Sequence, residues 1–246
     1  MSGGVTVMFA GSGDAFGSGG RLQACIVLAN GEQRVLLDCG ATSLSGLKRL
    51  GIEPNTIDAV VVSHLHGDHF GGLPFLVLDG QFSRRETNLH VIGPPGTAGR
   101  LTAAMEVFFP GSSAVRRRFA VEVTEIAPGE TTTAGSWTVR AFAADHASGA
   151  PSLILRLESP RAVVAYSGDT AWTPALIDAS HGADLFICEA YFRSRQAPYH
   201  LSYDELAQHL GRFTCKRVIL THMTAEMLAA DGIAPDRAAD GLVVTL

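Results

Sequence analysis

The feature that most constrains this chain is a histidine-rich segment that directly follows a strongly apolar stretch. The letters AVVVS, typical of a strand buried on both faces, are followed at once by HLHGDH. In a regular strand, His64 and His66 would lie on one side and could hold one metal ion. A loop turn at Gly67 would direct Asp68 and His69 toward a second ion. Imidazole and carboxylate groups are ligands for zinc, manganese or iron, so the segment predicts a metal site rather than a histidine-rich surface loop.

Two ions need more ligands than this segment supplies, and three polar residues lie just past later apolar stretches. They are His146, Asp169 and His222. Because strand ends converge at the edge of a sheet, these side chains could approach the histidine cluster, and a carboxylate such as Asp169 could bridge two cations. Taken singly, each is equally well interpreted as an ordinary loop residue. Their joint placement makes them candidate ligands.

The alternation of short apolar stretches with turn residues predicts an α/β fold. Two β-rich runs, each followed by helices, favour two sheets packed face to face with helices outside, within one domain spanning residues 1–246. Strands are expected at Val5–Ala10, Leu22–Leu28, Arg34–Asp38, Ala59–Ser63, Leu89–Ile92, Val121–Ile126, Trp137–Ala143, Leu153–Leu157, Ala162–Tyr166, Asp184–Cys188 and Arg217–Leu220. Helices are expected at Leu44–Leu50, His69–Leu78, Ala98–Phe109, Pro174–Ser180 and Tyr203–Leu210, the last opened by a capping box at residues 202–205.

Composition restricts the classes of partner. The formal net charge of −5 disfavours binding to an extended nucleic acid, which usually requires a basic surface. The short arginine runs at 84–85 and 116–118 are typical of solvent-exposed surface positions. We find no signal peptide at the N-terminus and no stretch of about 20 apolar residues that would span a membrane. The four cysteines lie far apart beside apolar residues, which favours buried thiols in a reducing compartment and hence the cytoplasm.

In this order along the chain, the motifs resemble those of the metallo-β-lactamase superfamily from Val5 to about Met223. The motifs are Asp38 in Leu36-Leu37-Asp38-Cys39-Gly40, the His-x-His-x-Asp-His cluster, His146, Asp169 and His222. The resemblance implies a four-layer αββα sandwich with two divalent metal ions, most plausibly Zn²⁺, with Mn²⁺ or iron as alternatives, at one edge between the sheets. It assigns His64, His66 and His146 to one metal and Asp68, His69 and His222 to the other, with Asp169 bridging. It also implies that Asp38 orients a ligand without binding metal.

Within that superfamily, the chain is most similar to the ribonuclease Z and phosphodiesterase branch. The matching segments are Gly11-Ser12-Gly13-Asp14-Ala15, Arg21, Gly93-Pro94-Pro95-Gly96-Thr97, Glu189-Ala190 and His200-Leu201-Ser202. In that branch, a glutamate and a histidine handle protons near the metals, and Glu189 and His200 are the matching positions. Ribonuclease Z also carries a long arm for the tRNA elbow between the positions of His146 and Asp169, whereas only 23 residues separate them here. The resemblance therefore implies a small ester substrate, with large RNA disfavoured and a homodimer left open.

The expected activity is hydrolysis of a phosphodiester by a hydroxide that two metals activate. Asp68 would orient that nucleophile as well as bind metal, and His200, held by Glu189, would protonate the leaving oxygen. Arg193 and Arg195 could clamp a phosphate or lie free on the surface. Three alternatives stay open: a lactone, thioester or sulfate-ester hydrolase on the same fold, an iron-dependent oxidoreductase, and a non-catalytic binding module.

Overall fold

The computed structural model describes residues 4–246 and contains two seven-stranded mixed sheets. The first sheet has the order β14-β1-β2-β3-β4-β5-β6. Its strands are β1 Thr6–Gly11, β2 Cys25–Asn30, β3 Gln33–Leu37, β4 Ala59–Val61, β5 Leu89–Gly93, β6 Val121–Glu125 and β14 Val243–Thr245. The strands from β3 to β6 run parallel, so β3, β4 and β5 end at the same edge. That edge carries the histidine cluster, which begins three residues after β4.

The second sheet has the order β13-β12-β11-β10-β9-β8-β7. Its strands are β7 Thr131–Ala134, β8 Trp137–Ala143, β9 Leu153–Glu158, β10 Val163–Tyr166, β11 Leu185–Glu189, β12 Val218–Thr221 and β13 Asp236–Arg237. Strands β10, β11 and β12 are parallel neighbours, so their carboxyl ends also share one edge. Asp169, Glu189 and His222 lie at or just beyond these ends.

The largest core lies between the two sheets. Phe9, Leu37 and Val61 of the first sheet and Val139 and Leu155 of the second belong to one cluster of fully buried side chains. Each buried aliphatic or aromatic side chain of this size contributes about 1.5–3 kcal/mol to stability. Packing of this kind fixes one sheet against the other, and it therefore fixes the relative positions of residues from the two halves of the chain.

Helices cover the outer face of each sheet. The helices are α1 Ser43–Arg49, α2 Gly67–Phe70, α3 Leu73–Phe82, α4 Thr97–Phe108, α5 Ala175–Ser180, α6 Tyr203–His209 and α7 Ala225–Ala229. Leu47, Leu76 and Leu101 from α1, α3 and α4 pack on the first sheet, while Leu176 and Leu206 from α5 and α6 pack on the second. The predicted αββα sandwich is thus confirmed. The predicted cap of α6 also forms, since the Ser202 side chain accepts a hydrogen bond from the Glu205 amide.

The sequence prediction was wrong in several local features. The strand expected at 59–63 ends at Val61, so His64 and His66 lie on the connection beyond it, and α2 replaces the loop turn expected at Gly67. The expected helix at 69–78 is instead divided between α2 and α3. The short elements β7, β13, β14 and α7 were missed because two to five residues carry too little periodicity to identify them.

Two further expectations concern the cysteines and the membrane. All four cysteines are free thiols, as the sequence predicted; three of them are buried, whereas Cys215, also expected to be buried, is half-buried. Among the described residues, no helix has the length and apolar character that crossing a membrane requires.

Candidate metal centre

The connection after β4 is held so that each histidine presents one nitrogen to a common centre. The Ser63 amide donates to the Asp38 Oδ1 at 2.7 Å, and the Ser63 carbonyl accepts from the Leu153 amide of the second sheet at 2.9 Å. The Nδ1 of His64 lies 3.0 Å from the Ser63 hydroxyl, so its Nε2 points away from this contact. A residue between the sheets therefore fixes the orientation of the first histidine.

Helix α2 positions Asp68 and His69 after the chain has passed His66. The Gly71 amide donates to the Gly67 carbonyl, which closes one helical turn, and the Cys39 amide donates to the His69 carbonyl at 2.7 Å. Asp68 and His69 are both buried, at 8% and 0% exposure. A single helical turn, rather than a loop turn, thus separates these two side chains from His64 and His66.

The predicted ligands meet in two groups whose ligand atoms lie within 4.8 Å of one another. One group is His64, His66 and His146; the other is Asp68, His69, Asp169 and His222. In the first group, the His146 Nε2 lies 3.0 Å from the His66 Nδ1, and the His146 Nδ1 lies 2.9 Å from the Tyr199 carbonyl. In the second, the Nε2 atoms of His69 and His222 each lie 3.2 Å from the Asp68 Oδ2. All seven residues predicted from the sequence are brought together.

Asp169 lies between the two groups. Its Oδ2 is 3.8 Å from the His64 Nε2 and 3.4 Å from the His222 Nε2, while its Oδ1 is 3.2 Å from the His69 Nε2. The preceding Gly168 has a φ of +54°, and a Cβ there would lie 2.8 Å from the Ser63 Cβ. Only glycine allows the chain to approach Ser63 this closely and still direct Asp169 into the centre.

Asp38 binds the cluster from behind rather than within it. Its Oδ2 lies 2.6 Å from the His69 Nδ1 and accepts hydrogen bonds from the hydroxyls of Ser63 at 2.8 Å and Tyr166 at 2.7 Å. With Nδ1 of His69 engaged, Nε2 faces the other ligands. Asp38 adopts a left-handed conformation with φ of 59°, a strained backbone that is common at functional sites. Its predicted orienting position matches this geometry.

Burial and neighbouring charges both shift the pKa values of the candidate ligands. The two effects oppose each other in the second group and act together on His64 of the first. Burial alone would raise the pKa of Asp169 and of Asp68, but the neighbouring imidazoles, chiefly His222 for Asp169 and His69 for Asp68, lower both instead. Burial alone would lower the pKa of His222, yet Asp169 and the hydrogen bond to Asp68 raise it to about 9. For His64, burial and the charge of His69 lower the pKa well below its ordinary value. In the second group, carboxylates and histidines thus stabilise each other's charged forms, whereas burial and the neighbouring histidines favour the neutral form of His64 in the first group.

Several buried ligand atoms have no hydrogen-bond partner among the described residues. They are the Nε2 atoms of His64 and His69 and the Oδ1 of Asp169. The Nδ1 of His222, which is not the nitrogen that faces Asp68 and Asp169, is also unpaired and lies 3.8 Å from the Glu189 Oε2. An unpaired buried polar atom costs about 1–3 kcal/mol, so a cluster of them requires another partner. Imidazole and carboxylate donors that converge within metal-ligand reach of one another fit divalent cations. The donor set and the unpaired atoms both fit a divalent metal centre.

Glu189 and His200 lie beside the cluster. The His200 Nδ1 is 3.0 Å from the Glu189 Oε2 and 4.0 Å from the Asp169 Oδ2. Burial raises the pKa of Glu189, and the nearby charge of Asp169 raises it further. Burial would lower the pKa of His200, but its hydrogen bond to Glu189 raises it. The Tyr191 ring stacks on His200 with centroids 4.5 Å apart, which leaves the imidazole side chain 21% exposed at the mouth of the centre.

The two arginines left open by the sequence have different surroundings. The Arg193 guanidinium bonds the Asp204 carboxylate at 3.0 Å and the Asp231 carbonyl at 2.6 Å, so it ties three segments of the chain together. The Arg195 guanidinium lies over the Phe192 ring, 4.7 Å from its centroid. Arg193 is therefore committed to structure rather than to a phosphate.

Sequence reasoning missed residues that support the centre from outside. Ser63 and Tyr166 bind Asp38, and the Tyr199 carbonyl binds His146. Asp240, near the C-terminus, accepts hydrogen bonds from the amide and hydroxyl of Ser12, whose carbonyl in turn accepts from the His222 amide. Ser63 stood directly beside the histidine cluster and could have been noticed. Asp240 lies 18 residues beyond His222, and no local pattern in the sequence links the two.

Comparison with known proteins gives the following matches. The model of the β-lactamase superfamily domain matches residues 33–223. The ribonuclease Z of Mycobacterium sp. (strain KMS) is 28% identical over an alignment of 259 positions including gaps. The alignment covers 96% of this chain and 88% of that protein. Among solved structures, the metallo-β-lactamase fold protein YhfI of Bacillus subtilis is similar with a TM-score of 0.80 at 20% identity, covering 98% of this chain and 99% of its own. The human short-form tRNase Z has a TM-score of 0.81 at 23% identity, covering 98% of each chain.

Proposed function

The chain belongs to the metallo-β-lactamase superfamily, and from this premise we propose that it is a metal-dependent hydrolase of phosphodiesters. The single observation that carries the proposal is the convergence of five histidines and two aspartates, from segments next to both sheets, into two adjacent groups of potential metal ligands. Relatives named ribonuclease Z, which are similar over most of their length, support a phosphodiester bond as the one cleaved. A binding module would not need such a complete ligand set.

Each ligand group would hold one divalent cation. We assign His64, His66 and His146 to the first ion and Asp68, His69 and His222 to the second. We assign Asp169 to both, because its Oδ2 lies near histidines of both groups and its Oδ1 lies near His69 of the second. We take Zn²⁺ as the native ion, since three imidazoles with a carboxylate are zinc ligands, while Mn²⁺ and iron accept the same donors. When bound, the ions supply a nucleophile from water near neutral pH and stabilise charge on the phosphate oxygens.

The chain's own residues then position the nucleophile and move protons. Asp68 and Asp169 are held anionic beside the reacting centre, so they orient any water that donates hydrogen bonds to them. The hydrogen bond to Glu189 raises the pKa of His200, which favours its protonated form, and the 21% exposed side chain would be accessible to a leaving group. Protonation of the leaving oxygen by such a group is typically a factor of about 10² to 10⁴ in rate.

We further infer that the substrate is small. Between His146 and Asp169, the chain forms only β9, β10 and the turns next to them. This is the interval in which the resemblance to ribonuclease Z would place a long tRNA-binding arm. The alignment with the Mycobacterium protein spans 259 positions, more than the 246 residues of this chain, so that relative has residues with no counterpart here. A net charge of −5 also disfavours a large polyanion as substrate.

Three further proposals concern the whole chain. We take residues 1–246 as one domain. Buried free thiols favour a cytoplasmic location. A homodimer stays a prediction.

The proposal is tested by a substrate panel on protein of measured metal content. We expect bis(p-nitrophenyl) phosphate to be hydrolysed only when metal is present, with precursor tRNA processed far more slowly. A lactone, a thioester, an aryl sulfate and oxygen uptake test the alternative activities. A faster rate on any of these, with the phosphodiester at background, would overturn the assignment. Efficient, salt-sensitive cleavage of precursor tRNA would contradict the small substrate but not the phosphodiester chemistry.

A further inference from the structure

A cavity opens beside the second ligand group, on the side of the first sheet's helices. Its volume is about 520 Å³, within the range of pockets that hold small ligands. Asp68 belongs both to its lining and to the metal centre. A molecule whose reacting group sits at the centre would therefore extend another part of itself into this cavity.

The far wall of the cavity is aromatic. Phe75 of α3 and Phe108 at the end of α4 line it, with their ring centroids 5.6 Å apart, and Phe109 packs edge-on against Phe75 at 5.3 Å. Phe108 is 49% exposed, which is high for a large apolar side chain. Small residues, among them Ala15 and Ala41, form the rest of the wall and leave room for a flat group beside the rings.

Among the residues that the structure describes, no lysine, arginine or histidine lines the cavity, and Asp68 is its one charged side chain. With one aspartate and no lysine or arginine, this lining repels a second phosphate and favours an uncharged group. The Gln23 Nε2 donates to the Ala15 carbonyl at 3.0 Å, while its Oε1 is buried without a hydrogen-bond partner among the described residues.

We propose that this cavity binds a flat, uncharged ring of the substrate, a nucleobase in the first instance, against Phe108 and Phe75. The inference rests on the proposed function and names its substrate class: a phosphodiester with a ring substituent on one side of the phosphorus. Stacking of a base on an aromatic side chain is sequence-tolerant, so the pocket selects for a ring rather than for one base.

Equilibrium binding to the zinc-loaded protein tests the inference without requiring turnover. Uridine 5′-monophosphate and ribose 5-phosphate share the sugar and phosphate and differ only in the base. We expect uridine 5′-monophosphate to bind roughly tenfold more tightly than ribose 5-phosphate, because stacking of one base on an aromatic side chain changes the dissociation constant by about this factor. Phe108→Ala should bring the ratio of the two dissociation constants close to one. Phe82→Ala is the matched control, because Phe82 is 77% exposed and lies outside the cavity lining, and it should keep the ratio.

Phenyl phosphate and methyl phosphate form a second pair that separates the ring from its hydrogen-bonding groups. A preference for phenyl phosphate as large as that for the nucleotide means that the site takes any aryl group. Equal binding of both pairs by the wild-type protein, or a ratio unchanged in Phe108→Ala, would overturn the inference. Hydrolysis of bis(p-nitrophenyl) phosphate is measured on the same preparations: its absence with the binding ratios intact would contradict the proposed function and leave the cavity assignment standing.

Discussion

The metal-ligand cluster and the Glu189–His200 pair lie next to each other but are held in different ways. The proposed ligands are buried or half-buried, on helix α2 and on segments just beyond strands of both sheets, and hydrogen bonds to Asp38, Ser63 and Tyr199 orient the rings of His69, His64 and His146. His200 instead belongs to the irregular segment between β11 and α6, and it is 21% exposed. Groups that hold ions need fixed geometry, whereas a group that delivers a proton needs contact with solvent and substrate. The contrast predicts that metal content and turnover can be separated by mutation.

The largest effect should come from Asp169→Ala. Without this carboxylate, two cations would repel each other at short range, and both groups lose a shared ligand. We expect the metal content to fall toward zero and turnover to fall by more than the about 10²–10³ that one electrostatic contact contributes. Elemental analysis and kinetics on the same sample test this. If the variant kept two ions per chain, Asp169 would not bridge the groups.

His200→Ala should separate the two regions most clearly. We assign His200 to neither ion, although a ring nitrogen also lies within 4.8 Å of ligand atoms of His146, Asp169 and His222, and we therefore expect full metal content and unchanged substrate binding. The loss should appear in kcat, by about 10² to 10⁴ for an unactivated leaving group and least for p-nitrophenol, whose oxygen needs little protonation. Unchanged turnover of an unactivated diester would eliminate His200 as the acid. Loss of metal in this variant would instead make His200 part of the ligand region.

Asp38→Asn should have the smallest of the three effects and should act on metal alone. Asparagine has one acceptor oxygen where the carboxylate uses two, so its NH2 group must face either the Ser63 amide or the donors at Oδ2, and the His69 ring loses its fixed orientation. We expect metal affinity to fall by about 10–100-fold, with kcat recovering when metal is in excess. Asp236→Asn is the control, because its side chain is 61% exposed in a surface ion pair with Arg217. A kcat that stays low at saturating metal would give Asp38 a part in the reaction itself.

The layers and the convergence of the seven candidate ligands could be predicted from the sequence because both depend on strong local signals; that these residues bind metal stays a prediction. The stretch AVVVS followed by HLHGDH identified the edge of the first sheet, and the buried runs ending before His146, Asp169 and His222 identified the second. The helical turn at α2 was missed because four residues, two of them ligands, show no apolar periodicity. The support of His222 by Asp240 through Ser12 was missed because contacts between distant segments leave no pattern in either segment.

The Phe75–Phe108 cavity illustrates a different limit of sequence interpretation. Apolar residues on α3 and α4 are expected to face the core, and Phe75 partly does. Phe108, the last residue of α4, departs from that rule: it is 49% exposed and lines the same cavity as Asp68. Whether a particular aromatic side chain fills a core or lines a pocket depends on the packing of two helices, which the sequence of one helix does not specify.

Asp38 also has a consequence for the order in which the molecule is assembled. Its partners are His69 and Ser63 from the first sheet's edge and Tyr166 from the end of β10, so one carboxylate joins the two halves of the chain. Neither ligand group is complete within the first half, since one needs His146 and the other needs Asp169 and His222. During synthesis, the N-terminal half would leave the ribosome with four ligands and no complete site. Stable uptake of the ions would then be a late event that reports the docking of the two sheets.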